Sequence, residues 1–175
     1  MSEDTTPPNP SADTGGSTFP VYREGGTTPA IRLSINLVLV ARRWRALLDE
    51  RLRTIGQSSA RMEAMSAIMN APDPNAQIDI AKRLRIEGPT MTRMVDTLSR
   101  DGLVAREQAP HDRRTNYLSI TDEGLAALEQ IFAVADPMRD RMFAGFSEAE
   151  IATLNEQLQL MLARLDEGLP AGEPE

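Results

Sequence analysis

The chain has no cysteine in 175 residues, which excludes disulfides, thiolate metal sites and cysteine redox sensing. Its one histidine, His111, gives no basis for a histidine-rich metal site or a catalytic triad. Paired acid and base groups and Gly-rich phosphate loops are also missing, so no catalytic residue, metal or cofactor is expected. The longest apolar run, Leu37 to Ala41, is far too short to cross a bilayer. The N-terminal stretch carries acids and prolines where a secretory signal would place a basic region and an apolar core. A non-enzymatic cytoplasmic protein without membrane contact is the expectation. The length suits one domain with tails and a real core.

A basic excess is missing too, since the formal net charge is −7. The distribution tells more than the sum. Residues 32–116 hold 15 Lys+Arg against 10 Asp+Glu, a surplus of five. Residues 1–31 carry 1 basic and 4 acidic side chains, and residues 117–175 carry 3 and 12. A basic middle between acidic ends suits a molecule with one face toward DNA, although helical proteins often segregate charge in this way.

Five prolines and two Gly-Gly pairs in the first 30 residues predict a disordered arm over 1–30, with Phe19, Val21 and Tyr22 available to dock. Apolar residues at steps of three and four (Leu37, Ala41, Trp44, Leu48, Leu52, Ile55) predict a long amphipathic helix from about Ile31, within a segment 31–58. A lobe over 59–123 follows. It opens with a helix over Arg61–Asn70, stopped by Ala71-Pro72-Asp73-Pro74, and a second from Asn75 or Ala76. Gly88-Pro89 opens a third helix, burying Met91, Met94, Val95 and Leu98, and Asp101-Gly102 ends it. Leu103–Arg106 and Asn116–Ile120 read as strands around a nine-residue polar loop, long enough to project as a wing. Thr121 caps the next helix, which Pro137 is expected to kink or split, and Ser147-Glu148-Ala149-Glu150 is a capping box for the last. These helices fill 124–167, and 168–175 is a tail. The fold class is mainly α with a small β-wing.

The helix from Gly88 turns Pro89, Thr90, Thr92, Arg93, Asp96 and Thr97 outward. Small hydroxyl side chains let a backbone approach a DNA groove, and Arg93 reaches a guanine edge or a phosphate. An ordinary solvated helix face has the same composition, so the supporting helix before it carries much of the argument. Arg113 and Arg114 beside Asp112 are the sharper signal. Arginines at a wing tip are drawn to the negative potential of a narrow minor groove, and the aspartate can hold a guanidinium in place. The competing reading is a surface ion pair of little consequence.

Ile80-Ala81-Lys82, Asp101-Gly102-Leu103-Val104, Asp112-Arg113-Arg114 and Leu118-Ser119-Ile120-Thr121 together resemble the MarR family of winged helix-turn-helix regulators. Trp44-Arg45-Ala46-Leu47, Ile86-Glu87-Gly88-Pro89-Thr90 and Ala144-Gly145-Phe146-Ser147 resemble its SlyA branch. The likeness spans about Leu37 to Glu167. It implies a homodimer whose first and last helices intertwine and whose winged lobes bind a pseudo-palindromic operator in double-stranded DNA. The apolar stripes of those end helices agree, being more than one small lobe can cover. An intramolecular helix pair is the alternative.

The resemblance also implies a repressor released by a small aromatic or phenolic carboxylate held between the dimer helices and the lobe. Arg42 and Arg45 match basic positions facing that pocket, and two arginines three apart share a helix face. The alternative is that they pair with acids at the dimer interface or face solvent. Met62 stands where the branch carries a tryptophan, and with Met65 and Met69 it forms either a soft apolar wall or ordinary core. Two other functions stay open: a winged helix that contacts protein, and a SlyA-like activator that displaces a silencing protein.

Overall fold

The computed structural model describes residues 17–168, without the side chains of Arg113 and Arg114. The expected disorder of 1–16 and the tail from 169 lie outside the described residues. The chain divides at Trp44 into a smaller N-terminal unit and a larger one beginning at Arg45.

In the smaller unit, part of the expected arm is helical: α1 spans Phe19–Arg23. Gly26 closes it by donating to the Val21 carbonyl (2.9 Å). Helix α2 spans Pro29–Leu52, starting two residues before the expected Ile31. Thr28 explains the early start. Its hydroxyl accepts from Ile31 N (3.2 Å) and proline occupies the first helical position, where a missing N–H costs nothing. Leu33, Ile35, Leu37, Val38, Leu39 and Val40 of α2 are exposed.

The larger unit is built around α3, Ser59–Met69. Two oxygens cap its start: Ser58 Oγ accepts from Arg61 N, and Asp49 Oδ1 of α2 accepts from Ser59 N (2.7 Å). Helices α4 (Gln77–Leu84) and α5 (Gly88–Arg100) follow, and α3 contacts both. Between them Arg85 takes a left-handed conformation, φ 52°, at a position where glycine is the usual occupant. The core joins Leu48 and Leu52 from α2, Met65 and Ile68 from α3, Ile80 from α4, and Met91, Val95 and Leu98 from α5. Each such side chain stabilises the lobe by about 1.5–3 kcal/mol relative to exposure.

Strands β1 (Val104–Ala109) and β2 (Asp112–Ile120) form an antiparallel hairpin. The expected nine-residue loop shrinks to the turn Pro110-His111. Cross-strand pairing continues through Glu107↔Tyr117, Gln108↔Asn116 and Ala109↔Asp112. Solvent-facing polar strands carry no apolar alternation, so their length does not register in a hydropathy pattern. The register jumps between Gln108 and Ala109, leaving residues 113–115 as a bulge on β2. A bridge Ala76↔Tyr117, with Leu118 N donating to Asn75 O (2.9 Å), ties the wing base to the start of α4.

Helix α6, Asp122–Met142, runs through Pro137 as one helix, so of the expected kink or split the split does not occur. The carbonyl that loses its donor belongs to Ala133, and both residues lie on the exposed side, where water can satisfy it. Arg139 brackets the site by pairing with Asp136 and lying 5.8 Å over the Phe132 ring. Up to Ala135, α6 buries Ala127, Leu128, Ile131 and Ala135 in the lobe core. Helix α7, Glu148–Asp166, opens with the expected capping box and buries no residue.

Candidate nucleic-acid interface

Helix α5 separates its two faces sharply. Met91, Val95 and Leu98 are fully buried and Met94 is half-buried. Pro89, Thr90, Thr92, Arg93 and Asp96 are exposed, with Thr97 half-buried. Gly88 and Pro89 start the helix after Glu87 in an extended conformation, so its first turn meets solvent without side-chain cover.

The charges on this face are arranged rather than merely present. Asp96, the one acid among those outward residues, is held by Arg106 of β1 (2.7 Å). That pair fastens the helix to the wing and neutralises a carboxylate that would repel phosphates. Arg61 at the start of α3 pairs with Asp101 at the end of α5 (2.7 Å), fastening the C-terminal end of the helix to α3. The Arg93 side chain makes no hydrogen bond or ion pair among the described residues. None of these tethers has a sequence signature, because each joins residues ten or more positions apart. Their signal is limited to an acid and a base on neighbouring elements.

A second set of contacts closes the base of the wing. Gly102 carries a positive φ of 74° and its carbonyl accepts from Thr121 Oγ1 (2.7 Å). Thr121 Oγ1 also accepts from Gly124 N (3.0 Å), and Thr121 N donates to Leu103 O. One threonine thereby caps α6 and closes the base of the hairpin. Asp112 accepts from the Thr115 hydroxyl (2.7 Å) within the bulge. The backbones of Arg113 and Arg114 lie in that bulge on β2, not in an open loop tip.

The residues expected to hold an effector are treated differently. Arg45 is paired with Glu63 (2.7 Å), both exposed, so acid pairing has the support here. Arg45 lines an open groove of about 510 Å³ with Asp49, Arg53 and Ser58–Ala60, and Met62 is not part of its lining. Arg42 lies in the other unit and is exposed. Of the methionines, Met65 is core, Met62 half-buried and Met69 exposed; the three do not share one environment. Among the described residues no group of three or more His, Cys, Asp or Glu is placed to hold a metal. No described helix is long and apolar enough to cross a membrane.

A model of the MarR family matches residues 58–115, from the cap of α3 to the bulge of β2. The crystal structure of transcriptional regulator PA3341 is similar at 32% identity, covering 77% of this chain and 98% of that one, with a TM-score of 0.67. The chain belongs to the MarR family. This MarR-family transcriptional regulator is mainly helical with a two-stranded wing. It is also similar to a mutant MarR from E. coli complexed with operator DNA: 25% identity, 76% and 95% coverage, TM-score 0.67. A third likeness is in fold, to the S. aureus MepR–DNA complex: 23% identity, 74% and 96% coverage, TM-score 0.65.

Proposed function

We propose that this MarR-family regulator binds double-stranded DNA as a homodimer and represses transcription from a pseudo-palindromic operator. The observation that carries the reading is the outward face of α5, where Arg93 stands unpaired among the described residues and Asp96 is already neutralised by Arg106. In this reading α5 enters the major groove with Pro89, Thr90, Thr92 and Arg93. The wing lays Arg113 and Arg114 toward the adjacent minor groove, with Asp112 orienting a guanidinium. The solved DNA complexes of similar proteins support this reading.

Exposed leucines support the homodimer. On α7, Leu154, Leu158 and Leu165 are 46%, 41% and 59% exposed, and an apolar row of that length is a normal interface signature. The SlyA branch is proposed from the block Ile86–Thr90, and with it release by a small aromatic carboxylate at Arg42, Arg45 and Met62. Arg45 would have to leave Glu63 to bind such an acid. Work in the cytoplasm, associated with the nucleoid, follows from the DNA-binding role.

The test is duplex binding to the DNA upstream of the protein's own gene at several salt concentrations, with and without salicylate-like acids. Affinity should fall steeply with salt, because neutralised phosphates release counterions, and the acids should weaken it further. Salt-insensitive association with a protein instead of DNA would replace this reading with the protein-contact one.

A further inference from the structure

Two hydrogen bonds decide what part of α5 has left to offer. The Thr92 hydroxyl donates its hydrogen to the Gly88 carbonyl (3.0 Å) and accepts from the Gln77 side-chain amide Nε2 (3.0 Å). Thr97 likewise donates to the Arg93 carbonyl (3.0 Å). A hydroxyl has one hydrogen. Neither threonine therefore keeps a donor for guanine O6 and N7, adenine N7 or thymine O4, which all accept. Thr90 makes no such bond among the described residues.

A bond back to the fourth preceding carbonyl is by itself a weak restraint on a threonine. At Thr92 the amide of Gln77 adds a second, from another helix. Gln77 is half-buried in the cleft between α4, α5 and β2, and its Oε1 is enclosed without a partner among the described residues. That side chain is wedged in place, and it holds Thr92 Oγ1 between the two helices.

We propose that Gln77 is a specificity-determining positioning residue of the helix-turn-helix. By pinning Thr92 Oγ1 it makes Thr92 read DNA through its methyl group, favouring thymine at one half-site position. Hydrogen-bond donation falls to Arg93 and Thr90. The proposal rests on the reading of α5 as the major-groove helix.

The full-length protein is selected against a pool of duplexes with a randomised centre, alongside Gln77→Ala, Thr92→Val and the double variant. Thr92→Val keeps the methyl and removes the hydroxyl, so it should keep the thymine preference at the one position per half-site that Thr92 faces, whatever its overall affinity. Gln77→Ala frees the hydroxyl to turn outward and should flatten that position alone by about fivefold, the lower end of one mismatch. On the Thr92→Val background Gln77→Ala should change nothing, an outcome that a merely structural role would not produce. An unchanged Gln77→Ala profile, or loss of the thymine preference in Thr92→Val, overturns the assignment. If the wild type selects no sequence at all, the DNA-binding reading falls and this one with it.

Discussion

Gly124 sits where a side chain has no room. A Cβ built there would lie 2.1 Å from the Leu103 carbonyl oxygen and against the Ile120 side chain. The carbonyl is backbone at the base of the wing, so it cannot swing aside. Gly124→Ala should cost about 3 kcal/mol or more, in the range of severe packing and backbone changes, read as a lowered denaturant midpoint. A loss below about 1 kcal/mol would mean that the junction of wing and α6 is loose. Arg93 and Arg114 call for a different signature, because they are assigned to DNA and not to the fold. Arg93→Ala should weaken operator binding by about 1–3 kcal/mol and relax preference at one base pair. Arg114→Ala should weaken binding with the melting temperature unchanged; equal affinity would remove the wing from the interface. The caps were legible at this scale: Thr121 and Ser147 each accept from an amide three residues on, a contact that local spacing contains. The left-handed Arg85 was not legible, since an arginine carries no mark of positive φ.

At the scale of elements, α4 and α7 are joined by one exposed pair. Arg85 donates through Nε and Nη2 to the two carboxylate oxygens of Asp166 (2.9 and 2.5 Å). The hydrogen bond from Arg85 holds the Asp166 carboxyl below its ordinary value of 3.8, and the same bond raises Arg85. With the folded pKa depressed, the link is fully present above the ordinary carboxylate range and is lost as pH falls through the lowered value. Glu150 follows the same sign, because bonds from the Ser147 backbone and hydroxyl favour its ionised form. Amide hydrogen exchange in the last turns of α7 should therefore speed up in Arg85→Ala at neutral pH and in the wild type only under acid. The exchanged pair Arg85→Asp with Asp166→Arg should restore protection. Failure of that swap would make the contact incidental. Helix positions were largely readable because i, i+3 and i, i+4 steps are a property of the segment itself. The wing strands were read too short, and a split at Pro137 stood among the expected outcomes, because strand pairing and the exposure of the Ala133 carbonyl depend on what lies across from them.

For the whole molecule, the apolar rows left exposed on α2 and α7 set the expectation of a second copy. Leu158→Glu should give a monomer in sedimentation at concentrations where the wild type is dimeric, and duplex affinity should drop because two half-sites are no longer held by one particle. A variant that remains dimeric would assign the α7 row to another partner. The sequence by itself determined the helical elements, their caps, the winged helix-turn-helix order and the family. Those follow from short-range periodicity, capping chemistry and short motifs. Only the tertiary structure decided that Asp96 is neutralised by Arg106, that Arg45 is taken by Glu63, that the wing arginines lie in a bulge, and that Thr92 has spent its hydroxyl on Gly88 and Gln77. Most of those outcomes turn on pairings between separate elements, where many acids and bases are available in sequence and folding brings only a few within reach.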